Sequence, residues 1–145
     1  MKKTIWKNKP NLEQINTLAE GSLSSVLGIR YENIDDHSLS ATMPVSQKTS
    51  QPFGSLHGGA SAAFAESVGS MAAHFCCDSS KEAAAGVDLT IHHLRSTDRG
   101  ILVATAKAVR IGKSIQVWQV SIRQEDRLIS FATLTVKITK QRSNR

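Results

Sequence analysis

Gln51-Pro-Phe-Gly-Ser-Leu-His-Gly-Gly-Ala-Ser-Ala-Ala-Phe-Ala-Glu-Ser-Val-Gly-Ser70 is the stretch that decides how this chain folds. Pro52 and Gly54 break the backbone, and His57-Gly58-Gly59 turns it into a run of small and apolar residues. Across 58–77, Ala60, Ala62, Ala63, Phe64, Ala65, Val68, Met71, Ala72, Ala73 and Phe75 fall all round a helical projection. A helix apolar on every side is a buried one. Its small side chains let other elements pack close, and Asp78-Ser79-Ser80 ends it. One carboxylate, Glu66, stands in the middle.

The flanking sequence supplies what such a helix needs. Before it, residues 11–20 read as a short amphipathic helix with Asn11 as N-cap, Gln14 at capping-box spacing, and Leu12, Ile15, Leu18 and Ala19 on one face. Residues 29–34 and 38–43 read as a strand pair around Asp35-Asp36, with Leu39, Ala41 and Met43 alternating to one side. A long polar loop, 45–56, leads into the helix. After it the chain is β-rich. Residues 84–94 place Val87, Leu89, Ile91 and His93 on one face, expected to be buried, and Asp88, Thr90 and His92 on the other. Strands at 101–111, 115–123 and 128–139, joined by short turns, predict an antiparallel meander. The fold class is α+β: a single domain over 1–145 whose sheet curls around one long helix, with a basic tail at about 140–145. One helix covers only one face of a sheet, so the uncovered surface and the edge strands predict an oligomer.

Composition narrows the function classes. A chain of 145 residues with 40% hydrophobic content can bury a core. No apolar run approaches the ~18 residues of a membrane span. Trp6-Lys7-Asn8-Lys9-Pro10 stands where a signal peptide would have its apolar core, so the expected location is cytoplasmic. The two cysteines, Cys76 and Cys77, are adjacent and read as reduced, buried residues. With His74 they match no zinc spacing, so no metal is expected. The net charge of +6 draws on Lys2, Lys3, Lys7 and Lys9 at the front and Lys140, Arg142 and Arg145 at the back, which read as solvated tails. Aromatic content of 5% and the lack of any DNA-binding motif disfavour nucleic acid. A small phosphorylated ligand suits the charge.

Glu66 is the residue to explain. Carboxylates are rarely buried unless paired. A structural reading has it in a salt bridge or facing water; a functional one makes it a general base or nucleophile between apolar walls. Ser70, four residues on, shares its face, as does Gly59, seven before it and about 10 Å away along the axis. The first-turn N–H groups of a helix lack intrahelical partners and form an oxyanion site, and Gly58 and Gly59 leave room for a carbonyl. A carbonyl held there and attacked by Glu66, or by water it activates, undergoes acyl transfer or hydrolysis. His57 either touches substrate or caps the helix. His93 reads first as a satisfied core histidine, and Gln51 as a loop residue able to hold a water or a carbonyl. No nucleophile elbow, phosphate loop, zinc-protease or dinucleotide motif competes.

The 51–61 stretch and Ala65-Glu66-Ser67-Val68-Gly69-Ser70 resemble the hotdog-fold acyl-CoA thioesterases of the phenylacetate-pathway type. The likeness extends to Trp6-Lys7, Ala41-Thr42-Met43-Pro44-Val45, His93-Leu94-Arg95, Gly112 and Gln116-Val117-Trp118-Gln119. It is greatest toward members acting on 1,4-dihydroxy-2-naphthoyl-CoA in menaquinone synthesis and toward those that proofread enterobactin assembly. The resemblance implies a curved antiparallel sheet around one helix, dimers paired into tetramers, and active sites at the dimer interface. It implies Glu66 as catalytic carboxylate, Gly59 as amide donor to the thioester oxygen with His57 assisting, and Gln51 placing the carbonyl or the water. Ser70, Ser67, His93, Gly58 and Phe53 then bind the acyl group. Arg95, Gly86, Arg110, Gly112, Lys113 and Ser114 hold coenzyme A, which is part of the substrate, so no cofactor is expected. His92 receives no role. Alternatives are an aryl thioester on a carrier protein as substrate, an enoyl-thioester hydratase, and a non-catalytic acyl-CoA-binding module.

Overall fold

The computed structural model describes residues 3–142. Lys2, Arg145 and the end of the expected basic tail lie outside the described residues. In chain order the elements are α1 (Leu12–Ala19), α2 (Leu23–Val26), β1 (Arg30–Ile34), β2 (Ser38–Pro44), a 3-10 turn (Gln47–Thr49), α3 (Gly58–Phe75), β3 (Glu82–His93), β4 (Ile101–Ile111), β5 (Ile115–Gln124) and β6 (Arg127–Lys140). The six strands form one antiparallel sheet in the order β1-β2-β4-β5-β6-β3. The expected meander is β4-β5-β6. The early hairpin joins it at β4, while β3 crosses over to pair with β6 and becomes an edge.

Period-two patterning explains which side of the sheet carries the helix. Leu39, Ala41 and Met43 on β2, Leu102, Ala104 and Ala106 on β4, Trp118, Val120 and Ile122 on β5, and Ala132, Leu134 and Val136 on β6 are all fully buried. Against them α3 lays Ala60, Ser61, Phe64, Ala65, Val68, Gly69, Ala72 and Ala73. The close approach depends on small residues: a Cβ on Gly69 would lie 2.7 Å from Leu134 Cδ2. Bulges in β1, β3, β4 and β6 help curl the sheet.

Two sequence expectations need correction. The helix is not buried all round. Its opposite face, with Ala62, Ala63, Glu66, Ser67, Ser70, Met71 and His74, is only half-covered, because one sheet reaches one side of a helix. Nor does β3 bury an unbroken alternating face. A bulge between Gly86 and Asp88 turns Val87 outward, leaving it 58% exposed, and His93 is exposed because β3 is an edge strand.

The N-terminal segment closes one end of the core. Trp6 is buried, and its indole N–H donates to the Asp35 carbonyl at 2.6 Å, while the Lys7 N–H donates to the Phe75 carbonyl at 3.0 Å. The Asp35 carboxylate accepts from the N–H groups of His37 and Ser38 and from the Ser38 hydroxyl. These bonds, led by that from His37, hold its pKa below the ordinary carboxylate value. A depressed carboxylate contributes stability that is fully present above its unfolded value of about 4 and is lost as pH falls through the folded value. Asp35→Asn is therefore expected to flatten the loss of stability below about pH 4, as read from urea melts across that range. In the core, Gly69→Val is expected to cost about 1–3 kcal/mol by overpacking against Leu134, visible as a lowered Tm.

Candidate active site

The long loop before α3 is a closed structure. Ser46 and Thr49 cap the 3-10 turn reciprocally, and the buried Thr49 hydroxyl donates to the Pro44 carbonyl. Ser50 and Leu56 form a bridge, inside which the Gln51 N–H donates to the Ser55 carbonyl at 2.8 Å and Gly54 takes φ of +98°. The Gln51 side-chain oxygen accepts from the Phe53 N–H, and Phe53 is 92% exposed at the tip. The Leu56 N–H reaches the Thr97 carbonyl, and the His57 N–H reaches the Thr49 carbonyl, each at 2.8 Å. The loop therefore delivers His57 to the start of α3 in a defined place.

His57 is the N-cap. Its Nδ1 accepts the Gly59 N–H at 2.7 Å, and its carbonyl accepts from Ala60 and Ser61. The capping reading of His57 thus holds in the free chain, and the expected oxyanion donor is occupied by it. Gly59 permits this, since a Cβ there would sit 2.8 Å from the imidazole. Next to it, a Cβ on Gly58 would lie 3.0 Å from His93 Nε2, and His93 Nδ1 lies 3.3 Å from the buried Ser130 hydroxyl. Gln51, Gly58, Ser61, His93, Arg95 and Ser130 share the lining of a cleft of about 400 Å³. Ser61 and Ser130 were absent from the expected set. Ser130 was detectable as the polar residue that begins the inward Ala132-Leu134-Val136 row.

Glu66 stands two turns along α3, half-buried, and among the described residues it takes part in no hydrogen bond or salt bridge. Within one copy it therefore forms no salt bridge, which leaves its facing water and the functional reading. Ser67 is on the same open side, but its hydroxyl donates back to the Ala63 carbonyl at 2.6 Å, and its own carbonyl accepts from the Tyr31 hydroxyl. Ser70 lies one turn beyond Glu66.

The residues expected to hold coenzyme A do not converge within one chain. Arg95 donates to the Leu128 carbonyl at the end of the sheet near the start of α3. The Gly112-Lys113-Ser114 turn is at the other end, where the Ser114 carbonyl accepts from Ile138. Ten β6 residues, roughly 30 Å, separate these anchors. Arg110 is exposed beside Gly112, and Gly112 and Lys113 line a second cleft of about 470 Å³ with Lys7, Cys76 and Lys81. Gly86 is mid-strand against the Glu66 carboxylate. The antiparallel order separates them: β3 ends where β4 begins, so sites adjacent in sequence fall at opposite ends.

A curved antiparallel sheet around one helix, with a carboxylate on that helix that no described residue pairs and a two-glycine turn at its start, defines a hotdog-fold enzyme. A family model described as the thioesterase superfamily matches residues 53–130. The 1,4-dihydroxy-2-naphthoyl-CoA hydrolase of Escherichia coli K12 is 42% identical over 135 residues, covering 92% of this chain and 98% of that one. The proofreading thioesterase EntH of Cronobacter turicensis is 39% identical over 121 residues, covering 83% and 88%. A crystal structure of a mutant of thioesterase PA1618 from Pseudomonas aeruginosa superposes with a TM-score of 0.93 at 40% identity, covering 95% of this chain and 100% of that one. The chain belongs to the thioesterase superfamily and is a hotdog thioesterase that hydrolyses thioesters. This selects hydrolysis over the hydratase and binding-module alternatives. Among the described residues no helix is long and apolar enough to cross a membrane, and no group of three or more His, Cys, Asp or Glu could hold a metal ion.

Cys76 and Cys77 are free and buried. Burial pushes the Cys76 thiol up to about 12, with the neighbouring Cys77 adding to it, and burial also raises Cys77. Both thiols are expected to stay silent toward a disulfide dye at pH 8 in the native protein and to react once guanidinium unfolds it. The same dye then reports released coenzyme A without interference.

Proposed function

We propose that the chain hydrolyses aromatic acyl-CoA thioesters at a site shared by two copies, with Glu66 as the catalytic carboxylate. The observation that carries this is the half-buried carboxylate of Glu66, which no described residue pairs. Such a group is free to act on a substrate. A thiolate is a good leaving group, so a carboxylate and an oxyanion site suffice. Glu66 takes the proton of a water whose oxygen attacks the thioester carbon; the carbon–sulfur bond then breaks, and coenzyme A leaves as its thiolate. If Glu66 attacks directly, a mixed anhydride forms first and water then cleaves it. Both routes need the same carboxylate and the same oxyanion donor.

A single copy separates those two parts. Seven helical residues put Gly59 about 10 Å from Glu66, beyond the 3–3.5 Å of a reactive arrangement. The free edge of β3 supports a two-fold pairing of copies. Antiparallel pairing there brings the helix start of one copy toward the middle of the other. It also carries Arg95 of one copy toward the end of the sheet where the other has Gly112-Lys113-Ser114. The thioester oxygen then takes the Gly59 N–H from His57 Nδ1, Gln51 places the water or carbonyl, and Ser67, Ser70, His93, Gly58 and Phe53 border the acyl group. Exposed Ile101, Val103, Val109 and Ile115 support pairing of dimers through the outer sheet face. Likeness to the naphthoyl-CoA hydrolase and to the proofreading enzyme supports an aryl group, carried on coenzyme A or on a carrier protein.

The test is a panel of benzoyl-CoA, 1,4-dihydroxy-2-naphthoyl-CoA, straight-chain acyl-CoA and aryl carrier-protein thioesters, ranked by kcat/KM from thiol release. Aryl-CoA esters are expected to lead it; straight chains in first place would reject the substrate class. Glu66→Gln is expected to lower kcat by about 10²–10⁴ with the fold intact by circular dichroism. Unchanged turnover would remove Glu66 from the mechanism.

A further inference from the structure

Within one copy the Glu66 carboxylate has no donor among the described residues to fix its direction, so there the shape of its surroundings decides where it points. The nearest constraint is on β3. A Cβ built on Gly86 would come within 2.5 Å of Glu66 Oε1, 3.4 Å of its carboxyl carbon and 3.5 Å of Leu134 Cδ1. Backbone conformation does not call for glycine at this position. The positive-φ glycines are Gly21, Gly28, Gly54 and Gly100, and Gly86 is not among them. What the position requires is the empty space.

The β3 bulge makes that space available. Leu89, Ile91 and His93 pair with Leu134, Ala132 and Ser130 on the inner side of the sheet. Unbroken alternation back from them would bring Val87 to the inner face. The bulge between Gly86 and Asp88 instead turns Val87 outward and sets Gly86, opposite the buried Val136, against Glu66. Bulges next to active sites commonly re-aim side chains in this way.

The geometry points to Gly86 as a positioning residue for thioester hydrolysis: the bulge and the missing side chain open a notch in β3 that seats one oxygen of the Glu66 carboxylate and thereby directs the other toward the substrate. This rests on the reading of Glu66 as the catalytic carboxylate. The notch meets the far end of a flexible side chain, so filling it displaces the carboxylate at little cost to the fold.

The experiment compares wild type, Gly86→Ala, Glu66→Asp, Glu66→Gln and the Gly86→Ala/Glu66→Asp double variant on the fastest thioester of the panel. Gly86→Ala is expected to lower kcat about 10- to 100-fold, as a misplacement of order 1 Å does, with KM and Tm essentially unchanged. Glu66→Asp alone also lowers kcat. In the Gly86→Ala background, however, the shorter carboxylate clears the new methyl group, so the double variant turns over at least as fast as Gly86→Ala, a positive coupling. Three results overturn the inference: a wild-type kcat in Gly86→Ala, a rise in KM alone, or two costs that simply multiply. Loss of activity in Glu66→Gln with none in Gly86→Ala rejects this inference only. Full activity in Glu66→Gln rejects the parent reading and this inference with it.

Discussion

The packing of α3 against the sheet sets every other feature of the molecule. Ala65, Val68, Gly69 and Ala72 let the helix lie so close to β5 and β6 that Gly69 has no room for a methyl group beside Leu134. Contact this tight covers one side of the helix completely. It leaves the other side only half-covered, with a carboxylate, two serines and a methionine. The helix is thus core on one face and half-open on the other, and the packed face fixes where the open one, with Glu66, stands.

The start of the helix obeys a second constraint. Orphan N–H groups at a helix start need acceptors, and His57 supplies one to Gly59 at 2.7 Å. A cap made by a side chain is exchangeable, whereas a bond within the sheet is not. The Gly59 N–H, the donor proposed for the thioester oxygen, is therefore kept satisfied by a group that can give way. His93 and Ser130 back the neighbouring Gly58, so the turn is held from the sheet side as well.

Much of this was legible in the residues. The long helix, its glycine turn, the capped N-terminal helix, the β2 alternation and the late meander all follow from local periodicity and breaker residues, and each appears where that pattern places it. Glu66 stood out because an acid amid alanines has few structural explanations. The closed structure of the loop at 45–56 was not legible, because polar composition does not reveal the backbone bonds His57–Thr49 and Leu56–Thr97, the second of which joins residues far apart in sequence. The β3 face was misread because a bulge leaves no mark in a hydrophobic pattern: Val87 continues the alternation that Gly86 breaks.

Sequence alone thus determined the element types, the family likeness and the candidate carboxylate, since these depend on neighbouring residues and on chemical type. Only the tertiary structure decided that β3 is an edge, that Gly86 and not Val87 faces Glu66, that His57 occupies the Gly59 N–H, and that Arg95 and Gly112-Lys113-Ser114 lie at opposite ends of the sheet. These depend on strand order and register, and register arises from pairing between segments dozens of residues apart.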